Sequence, residues 1–161
     1  MIYVTVGGHY QDFSRLVSAV DGIAPKFEER FFIQRGASRC VPRNAEHVDY
    51  LDFDTAERYI KEASVVISHA GIGTLLSARR YGRPIIVVPR RSQLREHQND
   101  HQFDICEMLL QEKRGGVSVV YDVDRLEETL KGVLTARQAQ DGAAPDTSNK
   151  LIEEILSFIG K

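Results

Sequence analysis

The sequence predicts an α/β fold, a Rossmann-like parallel sheet with helices on both faces. Three observations predict it. Residues 2–6, 65–67 and 85–88 are continuous β-branched or apolar runs, the pattern of strands buried on both faces of a parallel sheet. Segments with apolar residues at helical spacing separate these runs, giving strand and helix in alternation. The chain has 161 residues, 42% hydrophobic and 27% charged, and a domain of that size buries roughly two thirds of its unfolded surface, enough for one core.

Residues 2–6 end at Gly7-Gly8, and Phe13, Leu16, Val17 and Val20 follow at helical spacing, so the chain opens strand, turn, helix. Arg30-Phe31-Phe32-Ile33-Gln34 reads as a second strand stopped by Gly36, and His47-Val48-Asp49-Tyr50 as a short third. Asp54 or Thr55 opens a helix carrying Ala56, Tyr59 and Ile60. Residues 65–67 form a buried strand, 71–73 a tight turn and 74–81 a short helix stopped by Gly82. Arg79 and Arg80 complement the negative end of that helix, and Gly82 suits a left-handed cap. Pro84 and Pro89 bracket the strand 85–88. A helix is expected over about 99–112, with Phe103, Cys106, Leu109 and Leu110 inward and Gly115-Gly116 as its cap. A strand at 117–121 and a helix at 124–134 complete the domain, residues 1–134; a polar linker at 135–149 and a C-terminal helix within 150–161, packing on the domain or on a partner, follow. No internal repeat is present.

Lys plus Arg total 21 against 23 Asp plus Glu, so the near-neutral field gives no reason to expect nucleic acid as partner. No apolar run approaches the roughly 20 residues that span a bilayer, and no basic segment precedes the opening strand as in a signal peptide. Cys40 and Cys106 stand far apart without metal-ligand spacing, as two reduced thiols. The expectation is a cytoplasmic chain, held at a membrane only by something else.

Ligands of such sheets bind at the carboxyl ends of the strands, which selects the loops after Val6, Ile67 and Val88. In Ser68-His69-Ala70-Gly71-Ile72-Gly73-Thr74 two glycines admit an anion close to the backbone, and the helix start aims N–H groups and a positive dipole end at it. A diphosphate fits there, with Thr74 adding a hydroxyl and His69 reaching a phosphate or base; a plain strand-to-helix turn with a packed histidine is the alternative. Gly7-Gly8-His9 lacks the glycine spacing of the dinucleotide fingerprint, which argues against a nicotinamide cofactor. Arg95-Glu96-His97-Gln98-Asn99-Asp100-His101-Gln102 crowds carboxylate, amide and imidazole groups suited to the many hydroxyls of a sugar, or else is a solvated helix start. His97 and His101 are four apart, the spacing that lets two helical histidines share zinc. Gln98 replaces the glutamate that the metalloprotease pattern requires, so no metal is expected. No acid–base dyad or nucleophile elbow supports a self-contained hydrolase.

Taken jointly, Ile2-Tyr3-Val4-Thr5-Val6-Gly7-Gly8-His9, Val65-Val66-Ile67-Ser68-His69-Ala70-Gly71-Ile72-Gly73-Thr74, Gly82-Arg83-Pro84-Ile85-Ile86-Val87-Val88-Pro89 and Glu96-His97-Gln98-Asn99-Asp100-His101-Gln102 resemble the C-terminal domain of glycosyltransferase family 28. The resemblance runs from Met1 to about Leu134 and is closest to the short bacterial subunits of split enzymes in capsule and exopolysaccharide synthesis. The family also contains the catalytic subunit of the eukaryotic dolichol-linked UDP-GlcNAc transferase. The resemblance implies the donor-binding half of a GT-B fold, with a UDP-sugar as donor and no cofactor or metal. It places the nucleotide and diphosphate at Gly7, Gly8, His9, His69, Ala70, Gly71, Gly73, Thr74 and Ser77, and the sugar at Glu96, Asn99, Asp100, His101 and Gln102. Relatives commonly carry a ribose-contacting glutamate where this chain has Ser77, which reaches less far and carries no charge. The implied activity is an inverting hexosyl transfer to a lipid-linked saccharide acceptor, with the general base on a membrane-anchored, acceptor-binding partner subunit that recruits the chain to the inner face of the membrane. A non-catalytic UDP-sugar-binding or scaffolding protein is the alternative. Partner binding implies an exposed apolar patch, which in isolated chains would serve a homodimer instead.

Overall fold

A computed structural model describes residues 1–111 and 115–140. Six parallel strands form one sheet: β1 (Ile2–Thr5), β2 (Phe31–Gln34), β3 (Glu46–Val48), β4 (Val65–Ser68), β5 (Ile85–Val87) and β6 (Val117–Val119), in the order β3-β2-β1-β4-β5-β6. Every pair is parallel, with Ile2 beside Phe31 on one side and Val65 on the other. The chain therefore builds outward from β1 in one direction, returns to β4, and builds outward in the other. The crevice between the carboxyl ends of β1 and β4 is the topological switch point, where ligands of such sheets bind.

The helices are α1 (Ser14–Ile23), α2 (Phe53–Glu62), α3 (Ile72–Arg80), α4 (His101–Gln111) and α5 (Leu126–Gln140). Strand residues alternate between two cores. Ile2, Val4, Val6, Val65, Ile67 and Ile86 meet Leu16, Val17 and Val20 of α1 and Leu126 and Leu130 of α5. On the opposite face Tyr3, Val66, Ile85 and Val87 meet Ile60, Leu75, Ala78, Ile105, Cys106 and Leu109 of α2, α3 and α4. Both faces of the central strands are covered, which is why β5 is apolar throughout and β1 and β4 are apolar up to a final Thr5 and Ser68.

Several boundaries differ from the sequence reading. The Asp52 side chain accepts from the Thr55 amide at 2.9 Å, so this cap opens α2 at Phe53. α3 begins at Ile72 with Gly71 as its N-cap, which places Gly73 inside the first helical turn rather than in the bend before it. Gly82 has φ +59 and closes α3 as expected, with its amide on the Arg79 carbonyl and that of Arg83 on Ala78. α4 starts at His101, so residues 99 and 100 precede it, and Leu110 is exposed while Gln102 is inward. α5 follows a single 3-10 turn, Val123–Arg125, and runs to Gln140, through the first residues expected as linker. The rest of that linker and the expected helix within 150–161 lie outside the described residues.

Candidate functional site

The backbone of β4 leads to Gly71, whose amide bonds the His69 carbonyl at 2.8 Å. The first intrahelical bond of α3 runs from Leu75 N–H to Gly71 C=O, and no side chain caps the helix. The amides of Ile72, Gly73 and Thr74 are thus the donors that every helix start leaves unsatisfied, and none has an acceptor among the described residues. Gly73 is exposed, and a Cβ added there would meet nothing within 4 Å. The Cα of Gly73, among these donors, therefore borders open space, which leaves room for an anion.

Gly7 and Gly71 answer a different need. A Cβ on Gly71 would lie 2.2 Å from His69 Nε2, and one on Gly7, whose φ is +75, would lie 2.5 Å from His69 Cε1. The imidazole is wedged between two backbones that only glycine lets approach so closely. Desolvation, aided by the Arg90 guanidinium, pushes His69 down to about 3, so the ring is neutral at physiological pH and offers hydrogen bonds rather than charge. Below it, Gly7 N–H donates to Thr5 Oγ1 at 3.1 Å and the Gln34 amide donates to Gly7 C=O at 3.3 Å, which fixes the loop after β1.

Arg90 is the residue that sequence reasoning missed. Its side chain is fully buried, 4.5 Å over the Phe13 ring. Its guanidinium donates to the carbonyls of Val6 at 2.7 Å, Gln11 at 3.1 Å and Glu96 at 3.0 Å. One cation thereby joins the loops after β1 and β5, and its burial lowers its pKa to about 10. Nothing local in Pro89-Arg90-Arg91 separates a buried arginine from a surface one.

The expected sugar residues divide into two groups. Glu96 and Gln102 are buried. The Glu96 carboxylate takes a two-point bond from Arg15, at 2.9 and 2.8 Å, and a third from the Arg91 amide. Gln102 Oε1 accepts from the Arg90 amide at 2.9 Å. Both atoms sets are committed to holding the loop, a role the reading of this segment did not assign them. Asn99, Asp100 and His101 are exposed. Asp100 accepts from the Ser92 amide and hydroxyl at 2.9 and 2.7 Å, bonds that hold its carboxyl below the usual range. Asn99 Oδ1 contacts His101 Nδ1.

Ser77 donates to Glu57 Oε1, and Tyr81 OH donates to Glu57 Oε2 at 3.0 Å. A carboxylate from α2 therefore lies against Ser77, in a pairing that sequence alone does not reveal. His9, His97 and His101 come together across the crevice loops, with ring centroids 5.0 and 4.7 Å apart. Gln98 donates to Tyr10 OH at 2.9 Å and Gln11 to the Arg95 carbonyl at 3.2 Å, which pin the two loops to each other. His97 precedes α4, so it and His101 do not share a helix face. Among the described residues no three His, Cys, Asp or Glu side chains are arranged to hold a metal ion.

Tyr10, Tyr50, Phe53 and Leu94 are exposed by 68, 51, 76 and 53%, and all belong to loops or helix starts at the carboxyl end of the sheet. A cavity of about 300 Å³ lined by Lys26, Phe27, Lys131 and Leu134 lies at the other end of α1 and α5, rimmed by Lys–Glu ion pairs, and carries none of this chemistry. Among the described residues no helix is long and apolar enough to cross a membrane.

Residues 1–156 match the model of the glycosyltransferase family 28 C-terminal domain. The chain is 31% identical over 102 residues to the UDP-N-acetylglucosamine transferase subunit ALG13 of Cryptococcus neoformans var. neoformans serotype D, covering 62% of this chain and 48% of the relative. It therefore spans about half the length of that protein. In fold it is similar to a solution NMR structure of ALG13, with TM-score 0.61 and 20% identity over 96% of this chain and 94% of that one. It is likewise similar to the glycosyltransferase VinC in complex with DTDP, with TM-score 0.58 and 17% identity over 96% of this chain and 40% of that one.

Proposed function

Because this chain belongs to the glycosyltransferase family 28 C-terminal domain family, we propose that it is the donor-binding half of a UDP-sugar-dependent hexosyltransferase. The observation that carries this reading is the group of three unpaired amides, Ile72 to Thr74, under open space at the switch point. The diphosphate sits on those N–H groups, where partial charges and the α3 dipole take up the negative charge that develops on UDP as the sugar leaves. The donors are in place before reaction, so no metal ion is needed to neutralise the leaving group.

The loop of Gly7, Gly8 and His9 closes over the diphosphate, with His69 and Ala70 beneath it. Ser77 and its partner Glu57 lie on the ribose side, and Asn99, Asp100 and His101 face the sugar. Glu96 and Gln102 act behind them by fixing the loop. Transfer proceeds with inversion to a lipid-linked saccharide acceptor in polysaccharide synthesis. The base that deprotonates the acceptor hydroxyl comes from a membrane-anchored acceptor-binding subunit, which holds this chain at the inner face of the membrane. The exposed side chains of Tyr10, Tyr50, Phe53 and Leu94 at the same end of the sheet support such a partner, since aromatic residues are enriched at protein interfaces.

Calorimetric titration with UDP and with uridine tests the cradle. UDP should bind and uridine should bind far more weakly; equal affinity for the two removes the diphosphate from the account. Membranes containing the partner, supplied with UDP-sugars and a lipid acceptor, test turnover. UDP released from a donor supports the transferase, whereas bound but never released UDP leaves a binding protein.

A further inference from the structure

Between the cradle and the loop after β5 runs a line of imidazoles. His69 touches Gly71, the cap of α3, and on its other side Gly7. His9 directly follows Gly8, the His97 ring lies tilted 5.0 Å from that of His9, and His101 meets His97 edge-on at 4.7 Å. Tyr10 closes the row against His9 at 4.7 Å. His9 and His97 are half-buried and His101 is exposed, so the row is reachable from the crevice. We propose that His9, His97 and His101 form one anion-binding subsite beside the α3 cradle, which takes up a proton from solvent as it receives the terminal phosphate of a nucleoside diphosphate.

The physical reason is desolvation joined by mutual repulsion. Imidazolium charges about 5 Å apart disfavour one another. Desolvation, then Arg90 and His97, depress His9; desolvation, then His97, depress His101. Other groups acting on the row are His69 and Arg90, Tyr10 beside His9, and the carboxylates of Asp100, just before α4, and Asp104, within it. Near neutral pH His9 and His101 of the free chain are therefore short of protons. An arriving phosphate reverses the local balance, because each imidazolium then gains an anionic partner. A group whose proton affinity rises on binding must take up a proton, and by reciprocity phosphate affinity must rise as pH falls. For one proton the limit is about tenfold in affinity per pH unit. Such a subsite would hold the diphosphate at its distal end, where His101 stands between the terminal phosphate and the sugar joined to it, while the α3 amides hold the diphosphate from the other side.

The inference rests on the UDP-binding reading above, and one experiment separates the two. The full chain is titrated with UDP at about pH 7.5, where a phosphate with its second pKa near 6 is already ionised, in buffers of different ionisation enthalpy. Wild type should take up a substantial fraction of a proton per UDP. The variant H9N/H97N/H101N should bind UDP several-fold more weakly with no uptake, and H97N alone, removing the middle ring, should at least halve it. UDP binding by wild type without proton uptake, or undiminished uptake in both variants, overturns the subsite and leaves the cradle standing. Failure of wild type to bind UDP at all overturns both.

Discussion

Gly71 and Gly73 stand two residues apart, yet replacing them with alanine should have opposite consequences for folding. At Gly73 a methyl group enters open space inside the first turn of α3. Alanine exceeds glycine by about 1 kcal/mol in a helix interior and by less near an end. Gly73→Ala should therefore raise stability by about 0.5 kcal/mol, or about 1–2 °C in Tm for a domain of this size. The same methyl takes up part of the open space beside the Ile72, Gly73 and Thr74 amides. Hydrogen bonds to a charged group contribute about 1.5–3 kcal/mol each, so losing one should weaken UDP binding by about 10- to 100-fold. At Gly71 the new Cβ would lie 2.2 Å from the His69 ring, and such overpacking costs about 1–3 kcal/mol. Thermal unfolding without ligand and calorimetry with UDP read both effects. A Gly73→Ala protein that melts at or above wild type yet binds UDP undiminished would refute the reasoning, because a filled cradle cannot hold a phosphate.

Arg90→Met should lower unfolding stability by about 3 kcal/mol in urea titration, since it leaves the Val6, Gln11 and Glu96 carbonyls unpaired at once. Glu96→Gln should cost about 1–3 kcal/mol by weakening the Arg15 bond and the Arg91 amide contact, whereas Asn99→Ala should leave stability unchanged and alter donor-sugar affinity, which competition between UDP-sugar and UDP measures. His69 has a folded-state pKa of about 3 against 6.5 for the free side chain. The unfolded chain thus binds this proton more readily, and His69's contribution is complete above about pH 6.5 and falls by up to about 1.4 kcal/mol per unit as pH drops toward 3. Urea titrations at about pH 7 and pH 5 should show this fall, and His69→Gln should flatten it.

The strands and both glycine turns were legible because burial on two faces leaves an unmistakable apolar run, and because Gly82 and Gly7 take positive φ. α3 starts two residues before the point its sequence pattern predicts, because Gly73 has poor helix propensity and its helical position is set by Gly71 as the cap. The polar segment 95–102 was harder for a different reason. A hydrophilic run looks the same whether its side chains face a ligand or turn inward, and Glu96 turns inward only because Arg15, 81 residues away, meets it there. Arg90 is silent on the same grounds, since its partners are backbone carbonyls that carry no sequence signature. The Ser77 and Glu57 contact and the His9 and His97 ring contact likewise arise from topology, which brings distant loops to one end of the sheet.

The most direct test of a phosphate seated on the start of α3 is the amide spectrum of isotope-labelled chain during titration with UDP. The Ile72, Gly73 and Thr74 N–H resonances should shift strongly with UDP and stay in place with uridine. Saturating UDP that moves other resonances while leaving those three unmoved would contradict the account.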